Sequence, residues 1–153
     1  MVASSMLNRA TRIGIAAMSA LAESHSADVP ALTAIQIARR RSIPQPFLAK
    51  VLTTLSRHEL IRGTRGPGGG YVLARPPADI SLHDIAACFE RLESTPHCPL
   101  GNRKACVTRS PCPLHLPFQK MWEAQAAFLA DTTLAGFAAR SAAAHRSRRS
   151  ERR

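Results

Sequence analysis

The chain has 153 residues, a formal net charge of +11 and a sequence pI near 11.2. Hydrophobic residues make up 45% of it, enough for a folded core, which argues against global disorder. Its length fits one compact domain with an appended helix or tail, no run is long enough to cross a bilayer, and the positive charge indicates a polyanionic partner, either nucleic acid or anionic lipid.

The first predicted helix runs from about Leu7 to Glu23. Arg9 and Arg12 precede an Ala-rich apolar stretch, a pattern that also occurs in the leader of a secreted protein. The stretch is only weakly apolar and its larger residues recur at helical spacing, which favours an amphipathic helix of a cytoplasmic protein. In a reducing compartment, clustered cysteines bind metals or do redox chemistry more often than they form structural disulfides.

Two further helices follow, joined by a short turn. The second is predicted from Pro30 to Arg41, and its expected apolar face consists of Leu32, Ile35, Ile37 and Ala38. The third is predicted from Gln45 to Leu55, and its expected core side consists of Phe47, Leu48, Val51, Leu52 and Leu55. Two short helices joined by a tight turn form the helix-turn-helix pattern, whose second helix enters the major groove of DNA.

A β-hairpin is predicted next. Two strand-like runs, Glu59–Thr64 and Tyr71–Ala74, flank the glycine-rich tip Arg65–Gly70. The glycine run by itself also suggests a phosphate-binding loop, but it lacks the Lys-Ser/Thr ending and the following helix of such loops. A hairpin after a helix-turn-helix indicates the wing of a winged helix.

The residues expected to contact DNA lie on these elements. Gln45 and Lys50 occupy the polar side of the third helix and are candidates to read base edges, and Arg65 suits a narrow minor groove. The backbone of the tip can approach the duplex closely at Gly66, Gly68, Gly69 and Gly70. The candidates to hold phosphates are Arg41 and Arg62, together with Arg39, Arg40 and Arg57. A helical pair in a core is the competing interpretation, but the order of elements and the net charge favour DNA binding.

A fourth helix is predicted from Ile80 to about Leu92, with Ser81 as its N-cap. Cys88 lies in its apolar part and is expected to be buried packing. Residues 94–113 form a loop that contains Cys98, Cys106 and Cys112, with seven and five residues between them.

Thiolates are soft ligands that suit iron–sulfur clusters and zinc. His115 follows Cys112 by three residues at a helix start, so both side chains can lie on one face. The basic residues Arg103, Lys104 and Arg109 would stabilise thiolates. The spacing is not the paired C-x₂-C of zinc fingers, and a zinc site, a redox disulfide or free thiols remain alternatives.

A fifth helix is predicted from about Leu114 to Ala130 and is expected to form a homodimer through Phe118, Met121, Trp122, Phe128 and Leu129. The last fourteen residues, Arg140 to Arg153, hold six arginines and no large apolar residue, and a disordered basic tail is expected.

Three of these segments carry a resemblance to a known family: Ile43–Leu52, the wing Arg65–Tyr71, and the three-cysteine loop after Ile80–Ile85. The chain resembles the iron–sulfur winged-helix transcription regulators, the family that includes IscR, NsrR and RirA. The resemblance extends from about Leu7 to Phe137. It implies that Cys98, Cys106 and Cys112 bind a cluster and that His115 is the fourth ligand. If His115 is not the ligand, His97 or the partner chain is the alternative. It also matches Arg65 to the wing arginine and Lys50 to a DNA-contacting position.

The sequence therefore predicts a mainly α fold with a small β-hairpin wing and a long C-terminal dimerisation helix. The expected organisation is a winged-helix domain over 1–93, a cluster loop over 94–113, a dimerisation segment over 114–139 and a tail over 140–153. The expected function is that of a non-enzymatic, cytoplasmic, homodimeric repressor whose affinity for a double-stranded operator follows an iron–sulfur cluster, [2Fe–2S] being favoured over [4Fe–4S]. Neither a membrane nor a small-molecule substrate is expected. The alternatives are a zinc or thiol-redox regulator and a structural or adaptor winged helix.

Overall fold

The computed structural model describes residues 7–25, 31–90, 92 and 113–140. Its helices are α1 (Arg9–His25), α2 (Ala34–Arg41), α3 (Gln45–Arg57), α4 (Leu82–Ala87) and α5 (His115–Asp131), and residues 135–140 are also helical. Two strands, β1 (Ile61–Thr64) and β2 (Gly70–Leu73), lie between α3 and α4. The mainly helical fold with a small hairpin is therefore confirmed.

Helix α2 begins four residues later than Pro30, where the sequence had placed its start. The chain just before it is extended, because Leu32 exchanges two backbone hydrogen bonds with Tyr71 of β2, at 3.1 and 2.8 Å. Thr33 then caps the helix: its hydroxyl accepts from the Gln36 amide, and the Gln36 side chain accepts from the Thr33 amide. Thr33 and Gln36 have the spacing of a capping box in the sequence, but the predicted start was assigned to Pro30 instead.

The hydrophobic core lies between the five helices and the hairpin. Ile37 of α2 and Leu48, Val51, Leu52 and Leu55 of α3 are buried in it, as the helical spacing predicted. Ile35 and Phe47 are exposed, contrary to expectation. Each lies beside the buried face of its helix, so apolar character alone assigned them wrongly. The Phe47 side chain is 46% exposed, and the guanidinium of Arg9 lies 4.2 Å over its ring.

The hairpin is antiparallel, with Ile61 opposite Leu73 and Thr64 opposite Gly70. Because Leu32 pairs with Tyr71 on the free edge of β2, the hairpin is hydrogen-bonded to the chain that leads into α2. The wing and the helix-turn-helix are therefore joined through backbone hydrogen bonds as well as through the core.

Helix α4 is shorter than the predicted span from Ile80 to Leu92. Ser81 is its N-cap, as expected, and Asp84 completes a capping box. After Ala87 the chain tightens into a turn in which the Phe89 amide donates to the Ala86 carbonyl at 2.9 Å. The Phe89 ring occupies the space beside Gly14, where a Cβ would lie 2.7 Å from a ring carbon. The Glu90 carboxylate then accepts a hydrogen bond from the Asn8 amide at the start of α1. The turn after Ala87 brings Phe89 and Glu90 into these contacts with α1.

Helix α5 agrees closely with the predicted span, and its end is bound to the start of α4. The Leu82 amide donates to the Thr132 carbonyl at 2.8 Å, and the Leu134 amide donates to the Ile80 carbonyl at 3.0 Å. Leu129 is 2% exposed and belongs to the core of its own chain, so the partner contact expected of it is wrong. Phe118 and Trp122 are half-buried and stack on each other with ring centroids 5.5 Å apart.

Candidate nucleic-acid interface

Helix α3 presents one polar ridge to solvent. Its buried residues recur at helical spacing, so the opposite side of the helix carries Pro46, Lys50, Thr53 and Arg57, all of which are exposed. Lys50 is at the centre of this ridge, whereas Gln45, the first residue of α3, is exposed at its margin. The ridge thus offers two cations and an amide, the groups that bind phosphates and base edges in a major groove.

The hairpin tip extends this polar surface. Arg62 and Arg65 are both exposed, the first on β1 and the second directly after it. Gly66 and Gly68 adopt φ values of 99° and 78°, a region that disfavours side chains, and the space around them is open. These two glycines fit the expected close approach of the backbone to a duplex.

Gly69 and Gly70 also have a packing role, which the sequence did not indicate. A Cβ on Gly69 would lie 2.5 Å from the Thr64 carbonyl oxygen, and a Cβ on Gly70 would lie 2.7 Å from the Leu32 carbonyl group. Both glycines are therefore required by packing inside the wing and against the chain before α2.

The three arginines that end α2 do not form a uniform phosphate-binding run. The Arg41 guanidinium is 2.8 Å from a Glu23 carboxylate oxygen, and its Nε donates to the Ala16 carbonyl at 3.1 Å. Arg40 donates to the Ser24 hydroxyl at 2.8 Å. Arg41 therefore joins α2 to α1, and these partners compete with the phosphate contact expected of it.

The winged-helix unit carries a strong excess of positive charge. Residues 31–75 contain eight Lys and Arg residues and a single acidic residue, Glu59. Such a surface attracts a polyanion over several ångströms and becomes less attractive as salt screens it.

The three cysteines of the expected cluster lie outside the described residues, as do His97 and the tail beyond Arg140. His115 is described: it is the first residue of α5 and is half-buried. Within the described ranges, no three His, Cys, Asp or Glu side chains are grouped so that they could hold a metal ion.

Cys88 is half-buried rather than fully buried, because it follows the last residue of α4. Its thiol donates to the Asp84 carbonyl at 3.2 Å. Burial raises the pKa of the Cys88 thiol, and the Asp84 carboxylate raises it further. A protonated thiol is a poor nucleophile and a poor metal ligand, which agrees with the packing role expected of this cysteine.

Comparison with known proteins shows which family this chain belongs to. A family model described as Rrf2, an iron-dependent transcriptional regulator, matches residues 7–140. The chain belongs to the Rrf2 family. An HTH-type transcriptional regulator of Neisseria meningitidis serogroup A is 34% identical over 113 residues, which cover 73% of this chain and 70% of the relative. The HTH-type transcriptional regulator IscR of Cereibacter sphaeroides is 35% identical over 66 residues, 43% of each chain.

Solved structures of Rrf2 proteins share the fold. CymR of Bacillus subtilis, described as a global cysteine regulator, has a TM-score of 0.71 and 24% identity, covering 88% of this chain and 97% of CymR. IscR of T. potens has a TM-score of 0.67 and 23% identity, covering 86% of this chain and 85% of IscR. The chain is thus a winged-helix transcription regulator of the Rrf2 family, a class that is not enzymatic. No helix in the described part of the chain is long and apolar enough to span a membrane.

Sequence reasoning did not identify the outward positions Pro46 and Thr53 of the α3 ridge, nor the position of Arg9 beside Phe47. The periodicity of buried residues in α3 contained the signal for the ridge, because the exposed positions follow from it. Arg9 carried no such signal: its place beside Phe47 depends on how α1 packs against α3.

Proposed function

We propose that this Rrf2 protein is a homodimeric repressor whose affinity for its operator is controlled by an iron–sulfur cluster bound by Cys98, Cys106 and Cys112, with His115 as the fourth ligand. The observation that carries the proposal is the position of His115. It is the first residue of α5 and follows Cys112 by three residues, so the last cysteine and the start of the helix supply two donors that are close in sequence.

The donor chemistry fits such a group. Three thiolates and one imidazole match the soft donors that hold iron–sulfur clusters, and Arg103, Lys104 and Arg109 offset the negative charge that thiolates bring. The hydrogen bond from the Cys88 thiol to the Asp84 carbonyl and the raised pKa of that thiol argue against Cys88 as a member of this donor set. When bound, the cluster would supply sensitivity to iron, redox state or nitric oxide.

The fold offers a route from these donors to the DNA-binding unit. Ligand bonds to Cys112 and His115 would fix the start of α5, whose far end is hydrogen-bonded to the start of α4 through Thr132 and Leu134. A change at the donors therefore bears on the position of α5 relative to α4, and α4 packs on α1. To act as a switch, the two states must differ in operator affinity by about 5- to 150-fold, a coupling of about 1–3 kcal/mol.

The dimer we propose forms through one face of α5. Leu129 is the only residue of this helix that the described chain buries fully. Five exposed residues recur at alternating intervals of three and four, the spacing of a coiled-coil seam: Leu114, which directly precedes α5, and Pro117, Met121, Ala124 and Phe128 within it. Met121 and Phe128 of the predicted dimer set belong to this seam, whereas Phe118 and Trp122 lie to one side of it.

Anaerobic purification tests the sensor. Wild-type protein is expected to be brown and to contain iron and sulfide, and Cys98→Ala, Cys106→Ala or Cys112→Ala is each expected to abolish cluster incorporation. Cys88→Ala is the matched control and should retain full iron. His115→Ala should give a more labile cluster. Full iron in any of the three loop variants would contradict the ligand assignment.

A second candidate function uses the same residues as a zinc or thiol-redox site. It is favoured by the structural likeness to CymR, which is described as a global cysteine regulator. Colourless protein with stoichiometric zinc, or a disulfide that forms on oxidation and changes DNA affinity, would establish it. Salt-insensitive or undetectable DNA binding would instead favour an adaptor role.

A further inference from the structure

Arg9 is an exposed cation next to α3, the recognition helix of the helix-turn-helix. Neither the sequence motifs nor the family resemblance assigned Arg9 to DNA. It is the first residue of α1, yet its guanidinium lies 4.2 Å over the Phe47 ring in the first turn of α3. Phe47 and Lys50 are three residues apart and therefore neighbours on the surface of that helix. Arg9 thus lies beside the polar ridge of α3 although it belongs to another helix.

The first turn of α1 is held firmly in place. The Glu90 carboxylate accepts hydrogen bonds from the Asn8 amide at 2.8 Å and from the Thr11 hydroxyl, and the Asn8 side chain caps the helix by accepting from the Thr11 amide at 2.9 Å. Asn8 also donates through Nδ2 to the Phe89 carbonyl at 3.1 Å. The backbone that carries Arg9 is therefore fixed before any ligand arrives.

The Arg9 guanidinium is positioned by the Phe47 ring, but its N–H groups are not engaged in hydrogen bonds within the described chain. The face of the Phe47 ring attracts the cation without occupying its N–H groups as hydrogen-bond donors. Among residues 7–25, 31–90, 92 and 113–140, no hydrogen bond or ion pair engages the Arg9 side chain. Arg40 and Arg41 differ, since both donate to partners within the chain.

We infer that Arg9 binds a backbone phosphate of the operator at the rim of the major groove. A recognition helix contacts base edges chiefly with its N-terminal residues, while neighbouring elements cross the phosphate backbone. A cation fixed beside the first turn of α3 meets that backbone, and a guanidinium offers several donors to phosphate oxygens. Phe47 is the positioning residue: its exposed ring orients Arg9 and does not itself read a base. The inference rests on the DNA-binding role of the α3 ridge.

The salt dependence of DNA binding tests this contact. Arg9→Gln should reduce the slope of log K against log salt concentration by about 0.9 per subunit and weaken binding roughly eightfold per subunit at 0.1 M salt. The loss should be equal on operator and scrambled duplexes, because a phosphate contact carries no base information. Arg9→Lys keeps the charge and should retain the wild-type slope.

Lys120→Gln is the charge-matched control, since Lys120 is exposed on α5, outside the winged helix. Its slope should equal that of wild type. Equal slope changes in Arg9→Gln and Lys120→Gln would overturn the inference, because they would reflect overall charge. A wild-type slope in Arg9→Gln accompanied by a lower melting temperature would also overturn it, since Arg9 would then only cover Phe47. In both cases, specific operator binding by the wild-type protein would still support the proposed function as a DNA-binding regulator.

Discussion

Arg41 and Arg65 have the same charge, but their surroundings give them different roles. Arg41 is bound to Glu23 and the Ala16 carbonyl, whereas Arg65 is exposed at the tip of the hairpin. We predict that Arg41→Ala lowers the free energy of unfolding by about 1–2 kcal/mol, because it removes a half-buried ion pair and a charged hydrogen bond. Arg65→Ala should leave stability within about 0.5 kcal/mol of wild type and weaken operator binding.

Urea unfolding and binding isotherms on operator and scrambled duplexes separate the two effects. Once corrected for the unfolded fraction, the Arg41 variant should bind both duplexes as wild type does. A reduced salt slope in that variant would mean that Arg41 leaves Glu23 to meet a phosphate.

Cysteine reactivity provides a second prediction at the scale of single residues. Burial, followed by the Asp84 carboxylate, raises the pKa of the Cys88 thiol above its usual value. The protonated form is therefore favoured, and the thiolate that reacts with alkylating agents becomes abundant only at higher pH than for an ordinary cysteine. In a variant that keeps Cys88 alone, the iodoacetamide reaction should have its midpoint at a higher pH in the folded protein than in urea.

The matched variant for this measurement is Asp84→Asn, which removes the second cause of the shift. It should lower the reaction midpoint part of the way toward the unfolded value. A midpoint that is the same with and without urea would contradict the raised pKa.

At the scale of elements, the sequence predicted those whose signal is local. Two strand-like runs around a glycine-rich tip located the hairpin, and helical periodicity located α3 and α5 to within two residues at each end. The errors arose where tertiary contacts decide. The pairing of Leu32 with Tyr71 delays α2, and the contacts of Phe89 and Glu90 with α1 end α4 early.

The residues of the candidate site also differ in whether local sequence or tertiary packing determines their surroundings. Lys50, Arg62 and Arg65 were predictable as exposed cations because their neighbours fix which side of each element is buried. The partners of Arg41 and Arg9 were not predictable, since Glu23 and Phe47 lie 18 and 38 residues away in the sequence. Only the packing of α1 against α2 and α3 brings these pairs together.

The attachment of the wing yields a prediction about Gly70. A Cβ at this position would meet the Leu32 backbone at 2.7 Å, and neither backbone can move without breaking the Leu32–Tyr71 hydrogen bonds. Gly70→Ala should therefore cost about 1–3 kcal/mol of stability. It should also reduce operator affinity by shifting Arg65 relative to Lys50. Gly136→Ala is the control, because open space surrounds Gly136 in a helical segment and alanine there should be neutral or stabilising.

Thermal unfolding measures the first effect, and a comparison of operator with scrambled duplex measures the second. The Gly70 variant should lose more affinity for the operator than for the scrambled duplex. Wild-type stability in that variant would show that the wing is not held against residues 31–33.

At the scale of the whole molecule, the rest of the described chain covers little of α5: of its 17 residues, Leu129 is the one that is fully buried. Tertiary packing supplies most of the stability of helices in proteins. Helix α5 contributes Leu129 to the core, while its seam from Leu114 to Phe128 faces solvent. A second copy of α5 would cover that seam in both subunits at once, as two-fold symmetry requires.

The seam makes the dimer testable with a pair of substitutions on one helix. Phe128 is 56% exposed and lies on the seam, whereas Leu116 is 60% exposed and lies about a third of a turn away from it. Phe128→Asp should convert a dimer into a monomer at micromolar concentration and sharply reduce operator affinity, because one subunit reaches only one half-site. Leu116→Asp introduces the same charge on an equally exposed position and should leave the dimer intact. Light scattering measures the mass of each variant. A wild-type monomer that binds its operator tightly, or a Phe128→Asp variant that stays dimeric, would rule out this face of α5 as the interface.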